Sequence, residues 1–434
     1  MVAQHDDAVQ RVPDRLVVRT VRIPEPGDLL ARLPGPAALA WIRRGDGLAG
    51  WGEAARITIP AGVDRFTAGE KWLRELFDNA EVTDELTVPG SGPVAFGSFT
   101  FDPASDGSVL VVPRMVVGRR SGQAWLTTIS DGRGGTAVAR PAVAPAVVRW
   151  HDGSLSAPQW QRAVTAAVTR IRAGDLRKVV LARDLYAAAS GDIDVRLLLG
   201  RLAGRYPDCY TFSCAGLAGA TPELLVRREG LAVSSLVLAG TTPRGATARE
   251  DDALGAALLG SAKEVEEHGY AVADVRAVLG PRCRELAIDP QPSLLRLANV
   301  QHLATRVHGI LATRSSRWLP HGRGGAADER TAPTALALAA DLHPTAAVCG
   351  TPAGPAMDLI RELEGMDRGR YAGPVGWADA QGNGEWGIAL RCAELDGPRA
   401  RLFAGCGIVA GSDPAAELAE AQSKFWPVQD ALEG

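Results

Sequence analysis

Two stretches of the 434-residue chain carry carboxylates three residues apart: Glu264 and Glu267 in SAKEVEEH, and Glu417 and Glu420 in AAELAEAQSK. On a helix that spacing puts both side chains on one face, where like charges repel unless a cation lies between them. Lys424 extends the second stripe four residues beyond Glu420. Two such helices facing each other would offer four oxygen ligands with no histidine or cysteine among them. That set suits Mg²⁺, which keeps several waters and accepts a substrate carboxylate. A solvated helix face has the same spacing, and the pairs alone do not decide between the two.

Other residues add weaker signals. Gly405-Cys406-Gly407 ends an apolar stretch; its glycines permit close backbone approach and their N–H groups could hold an anion, but a tight turn or bulge would use the same residues. LAGTTPRG (238–245), with Gly240 and Thr241, is a second small-residue turn. Neither is a Walker A loop, and no GxGxxG opens a helix. Arg391 reads as part of an apolar strand, where a guanidinium needs a bound carboxylate or a structural Asp or Glu. His343 opens a His-Pro-Thr turn, with core packing or a loop hydrogen bond as its ordinary use. Of 47 basic residues only Lys71, Lys178, Lys263 and Lys424 are lysines. Arginine stays protonated whereas burial can lower a lysine pKa, so a surviving lysine marks a place that guanidinium would not serve. Chance survival is the alternative, and suffices for Lys71 in GEKWLRELF. No Ser/His/Asp or Cys/His arrangement has a recognisable signature.

The elements that must position these residues are legible in the periodicity. Residues 1–150 read as β-rich, with apolar segments such as ALAWIRR, VAFGSFTF and VLVVPRMVV between Gly, Pro and Asp turns. VARPAVAPAVVRW (138–150) reads as a proline-stiffened crossing. Ser156 can cap a helix on which Trp160, Val164, Ala167 and Ile171 recur at helical spacing. KVVLARDLYAA (178–188) is a buried strand, and CYTFSCAG, LLVRREG and LAVSSLVLAGTTPRG are further strands of one sheet. AREDDALGAALLGSAKEVEEHGYAVADVRAVLG is one long helical pattern whose interior glycines could break it. RSSRWLPHGRGGAADER (314–330) reads as a solvated loop. A helix, a hairpin around Gln381–Gly384, the strand RLFAGCGIV and a last helix follow. Strands first and mixed elements later argue for one α/β body of the α+β kind, with 1–150 as its β-rich part.

Composition excludes several classes. A net charge of −3, from 47 basic and 50 acidic residues intermixed, leaves no nucleic-acid footprint. No apolar run approaches the roughly 18 residues of a membrane span. MVAQHDDAVQ lacks the basic end and apolar stretch of a signal peptide. Six cysteines without a CxxC pair argue against zinc ribbons and thioredoxin-type motifs, and read as reduced thiols of a cytoplasmic protein.

Taken in order, RKVVLAR (177–183), ATPELLVR (220–227), LAGTTPRG, SAKEVEEH (261–268), LHPTAAVCGTP (342–352), RYAGPVGWAD (370–379), GNGEWGIALRCA (382–393) and LFAGCGIVAGSDPAAELAEAQSK (402–424) resemble the chorismate-utilising enzymes. That family comprises isochorismate, salicylate, anthranilate and aminodeoxychorismate synthases. WIRRGDGLAGWGEAAR (41–56) is similar to its isochorismate synthase branch. The resemblance, which spans about 155–425 and puts the site there, implies a large sandwich of two antiparallel sheets flanked by helices, with the site in a cleft, and a monomer.

It also implies roles. Lys178 falls where the isochorismate- and salicylate-forming members keep the lysine that activates water; ammonia-using members have glutamine. Glu223 matches the general acid that protonates the departing C4 hydroxyl. Glu267 and Glu420 match the direct Mg²⁺ ligands, with Glu264 and Glu417 supporting them, partly through water. Tyr371, Arg391 and the backbone at Gly405 match the ring-carboxylate pocket. Gly240, Thr241, Gly407 and Lys424 match the side that receives the enolpyruvyl carboxylate or the metal-linked end. His343 lies in a matched segment and stands as a candidate binding residue. Ala347, where salicylate and anthranilate synthases carry threonine, matches the isochorismate branch. Cys406 replaces the family's usual alanine, and its sulfur could crowd the pocket. The LLES motif of tryptophan sensing is missing.

The implied reaction turns chorismate into isochorismate, feeding menaquinone, a siderophore or an antibiotic. Burial is expected to lower the lysine's pKa and raise the glutamate's, preparing both for their tasks. Salicylate synthase, which goes on to eliminate pyruvate, is the alternative. A non-catalytic chorismate-binding homologue is a third.

Overall fold

A computed structural model describes residues 15–131, 141–145, 147–313 and 331–434. The loop expected at 314–330 lies outside the described residues, as do residues 138–140 and 146 of the expected crossing. Two sheets, of 13 and 10 strands, carry the chain. Every pairing is antiparallel except that of Val17–Arg22 with Glu81–Asp84. Strands from the first 150 residues are interleaved with later ones: Phe212 pairs with Trp41 in the larger sheet and Trp377 with Phe96 in the smaller. The main core lies between the sheets, with Trp41, Phe96, Phe99, Leu110 and Trp386 fully buried. Leu29, Leu198, Leu202 and Phe425 belong to a second core in which helices cover the other face of the larger sheet.

Coverage on both faces explains the unbroken apolar run at the start of KVVLARDLYAAA. In the strand Lys178–Ala189 every residue from Lys178 to Leu185 is buried, as in a central strand. The helix Ala157–Arg172 begins with a Ser156–Gln159 capping box and buries Trp160, Val164, Ala167 and Ile171. The long helical pattern breaks at Ser261. Ala248–Gly260 ends there, and the Ser261 hydroxyl accepts from Glu264 N to start Ala262–Leu279.

One expectation is corrected. CYTFSCAG joins the larger sheet, whereas LLVRREG and LAVSSLVLAGTTPRG join the smaller. The chain changes sheet at Pro222 and Glu223, between Leu217–Thr221 and Leu224–Glu229. Proline has no N–H for a ladder, so strand pairing stops where it stands. Another change of sheet occurs between Gly384–Ile388 and Cys392–Asp396, through Ala389, Leu390 and Arg391. Among the described residues no helix is long and apolar enough to cross a membrane.

Candidate active site

These two changes of sheet open onto one cavity. It is lined by Glu223 and Arg391 from the two crossings, by Gly240 and Thr241 of the smaller sheet, and by Gly405 and Gly407 of the larger. Helix Ala262–Leu279 packs on the strand Ala232–Pro243 of the smaller sheet, and helix Pro414–Glu433 on the strand Arg399–Ile408 of the larger. Each sheet thus brings one acidic stripe, and Glu264, Glu267, Glu417 and Glu420 line the same end of the cavity. Ala347, Tyr371 and Lys424 complete the predicted residues found in its wall.

Two glycines are dictated by this close approach. Gly240 has a φ of +80° at a bulge in the pairing of Ala232–Pro243 with Val300–Leu311, and a Cβ there would lie 3.1 Å from Glu264 Oε2. On Gly407 a Cβ would collide with Glu267 Oε1 and approach Lys178 Cε.

Lys178 stands just behind that wall, 1% exposed, with its Nζ 2.7 Å from Glu267 Oε1. The lysine has an ion-pair partner on the facing helix. Burial works to raise the pKa of Glu267, but Lys178, Lys263 and Lys424 together hold it below the ordinary value. Glu223 differs. Burial pushes its carboxyl up to about 8 against the pull of Lys178, so it keeps its proton at neutral pH.

The other acidic groups are short of positive charge. Burial and the charge of Glu420 push Glu417 up to about 7, and burial and Glu267 raise Glu264. Lys263 Nζ lies 3.6 Å from Glu264 Oε1 and 3.7 Å from Glu417 Oε1. Four hard oxygen donors with a surplus of negative charge are what Mg²⁺ takes. Cys406 Sγ lies near Glu417 and Glu420, but burial raises its thiol pKa well above normal and it donates to the carbonyl of Glu417 instead. Its side chain is not in the cavity wall, so the expected crowding does not arise. Alternation along Arg399–Ile408 turns residue 406 away from the face shown by 405 and 407.

Arg391 and Lys424 bring positive charge to the same cavity. Arg391 is not in a strand: it sits in the bend after Gly384–Ile388 with a φ of +49°, rare for a side-chain-bearing residue. It is 8% exposed, and no carboxylate ion pair to it occurs among the described residues. His302 Nε2 lies 3.5 Å from its guanidinium, while His302 Nδ1 lies 3.0 Å from Thr241 Oγ1. Burial and the cations Arg391 and Lys424 hold His302 neutral, so Nε2 accepts and Nδ1–H donates. Lys424 Nζ donates to Gly405 O at 2.8 Å and pairs with Glu420 at 2.6 Å. The Tyr371 ring stacks on Phe403.

His343 is elsewhere. Its Nε2 lies 3.0 Å from Phe101 O and its ring packs edge-on to Phe101, outside the cavity wall; a short polar turn residue serves the core here, as the sequence also allowed. Lys263, His302 and Arg368 line the cavity and were given no role from the sequence. Scarcity of lysine pointed at Lys263. His302 had no signal, because its partners Thr241 and Arg391 are remote in the chain.

A family model for chorismate binding enzymes matches residues 37–430. Isochorismate synthase DhbC of Bacillus subtilis is 40% identical over 64% of this chain and 68% of its own length. Isochorismate synthase MenF of the same organism is 33% identical over 85% of this chain and 80% of its own. The solved structure of MenF, the menaquinone-specific isochorismate synthase from Escherichia coli, covers 98% of this chain and 97% of that one with a TM-score of 0.76. At 24% identity that likeness concerns the fold.

Proposed function

The chain belongs to the chorismate-binding enzymes, and within that family we propose that it is an isochorismate synthase, converting chorismate to isochorismate. One observation carries the assignment: a buried carboxylic acid, Glu223, and a buried lysine, Lys178, within electrostatic reach of each other at a cavity lined by both carboxylates and cations. Relatives named as isochorismate synthases support it.

Lys178 takes a proton from water as the oxygen bonds to C2 of the ring. The two double bonds shift, and Glu223 gives its proton to the C4 hydroxyl, which leaves as water. One water enters and one departs, so the change is an isomerisation. Glu223 suits the acid's task because it is protonated at neutral pH. As an ammonium paired with Glu267, Lys178 must first release its own proton to solvent and part from that carboxylate, so Glu267 acts on the base as well as on the carboxylate cluster. Arg391, buried without a carboxylate, is the partner for the ring carboxylate, with Tyr371 and Gly405 beside it.

Glu267 and Glu420 would hold Mg²⁺ directly, with Glu264 and Glu417 supporting it. When bound, the ion offsets a repulsion of roughly 4 kcal/mol between carboxylates at about 4 Å and an effective dielectric of about 20, and gives the substrate's carboxylate a cation. The six cysteines are all free thiols, which supports a reducing, cytoplasmic setting. Incubating the protein with chorismate and Mg²⁺ and identifying products by HPLC tests the assignment. Isochorismate alone is expected; salicylate with pyruvate would make it a salicylate synthase, and no conversion a binding protein.

A further inference from the structure

The cavity wall at Ala347 and Val348 is backbone held by side chains from both sides. On one side the buried Arg368 donates to Val348 O and to Val180 O, each at 2.8 Å. It is steadied by Glu364, at 2.9 Å, which in turn accepts from Ala182 N at 2.7 Å. On the other side Asp274 Oδ2 accepts from the N–H of Ala346 at 3.0 Å.

Asp274 stands on helix Ala262–Leu279 seven residues beyond Glu267, two turns along the same face. One helix therefore presents Glu267 to the acidic end and pins the backbone beside Ala347. The pinned segment is a turn outside the ladder. The N–H groups of Val348 and Cys349 turn back onto Thr345 O, and ladder pairing resumes only at Gly350 and Thr351, opposite Val179 and Lys178.

We propose that Asp274 is a positioning residue, which sets the shape of the substrate cavity by fixing the Ala346–Val348 wall through the Ala346 N–H. This deepens the assignment of the cavity to chorismate and rests on it. Without the anchor the Ala346 end of the wall loses its side-chain tie, the turn onto Thr345 O and the Arg368 contact at Val348 O remain, and Ala347 no longer holds its place. Substrate fit suffers; the acid Glu223 is untouched, and Lys178 loses one electrostatic partner in D274A and D274N alike.

Asp274→Ala and Asp274→Asn in the full chain test this. The amide oxygen of asparagine accepts the same N–H, so D274N keeps the anchor and loses only the charge. For D274A we expect KM for chorismate to rise about 3- to 10-fold, the weight of one hydrogen bond, with kcat within about twofold of wild type. D274N should return KM to the wild-type value, and Mg²⁺ affinity by calorimetry should be the same in all three proteins. Amide hydrogen exchange reads the anchor without turnover: residues 346–349 should exchange faster in D274A and at the wild-type rate in D274N. Unchanged exchange in D274A, or a D274N as impaired as D274A, overturns the proposal whatever the enzyme makes. Normal exchange behaviour in a wild type that makes no isochorismate would instead sink the assigned reaction.

Discussion

Replacing Glu223 by glutamine should abolish turnover and at the same time stabilise the protein. The Glu223 carboxyl titrates near 8 in the fold because burial raises it from 4.5. Below pH 4.5 the group is protonated both folded and unfolded, and its burial adds no pH-dependent cost. As the pH climbs from there towards 8 the unfolded chain gives up the proton while the fold retains it. Stability therefore falls by about 1.4 kcal/mol per pH unit over that window and levels off above it. At pH 7 the accumulated cost is about 3 kcal/mol, and glutamine, neutral in both states, carries none of it. At roughly 2 cal/mol/K per residue for a chain of this length, that is about 3 to 4 °C in Tm. Urea unfolding of wild type and E223Q, followed by circular dichroism at pH 5, 6, 7 and 8, measures the difference directly. It should grow steadily with pH while the variant makes no isochorismate. In the wild type, kcat should decline as the pH passes about 8 and the acid is lost. A stability difference that stays flat from pH 5 to 8 would mean that Glu223 is already ionised in the native state, and the acid role would fall with it.

Lys178→Ala should keep its circular dichroism spectrum and lose about 10²- to 10⁴-fold in kcat, the usual contribution of a positioned base; a near-wild-type rate would remove Lys178 from the mechanism. Excess EDTA should stop turnover and added Mg²⁺ restore it, as followed by HPLC of the product; activity indifferent to EDTA would refute the metal assignment. Arg391→Ala should raise KM for chorismate by about 10- to 100-fold with a smaller effect on kcat, since a charge-assisted contact is lost; an unchanged KM would place the ring carboxylate elsewhere. Gly407→Ala should weaken Mg²⁺ binding in calorimetry, because its methyl group occupies the space of Glu267 Oε1.

Much of the fold was legible because its signals are local. The capped helix after Ser156, the apolar strand from Lys178 and the hairpin at Gln381–Gly384 each follow from spacing and turn chemistry within a dozen or so neighbours. The two acidic stripes were visible for the same reason: an i, i+3 pair is a property of one helix. Sheet membership was not legible. Pro222 marks an end to pairing, but nothing near it says that the next strand belongs to the opposite layer.

By itself the sequence determined which residue types could do chemistry, and on which helices and strands they ride. Only the tertiary structure decided their partners. It set Lys178 against Glu267, put Arg391 in a left-handed bend with His302 beside it, turned Cys406 out of the cavity and sent His343 to Phe101. Side-chain periodicity fixes a direction relative to one element's own axis. Who stands opposite depends on how two sheets and their helices are stacked, and that is set by packing between segments hundreds of residues apart.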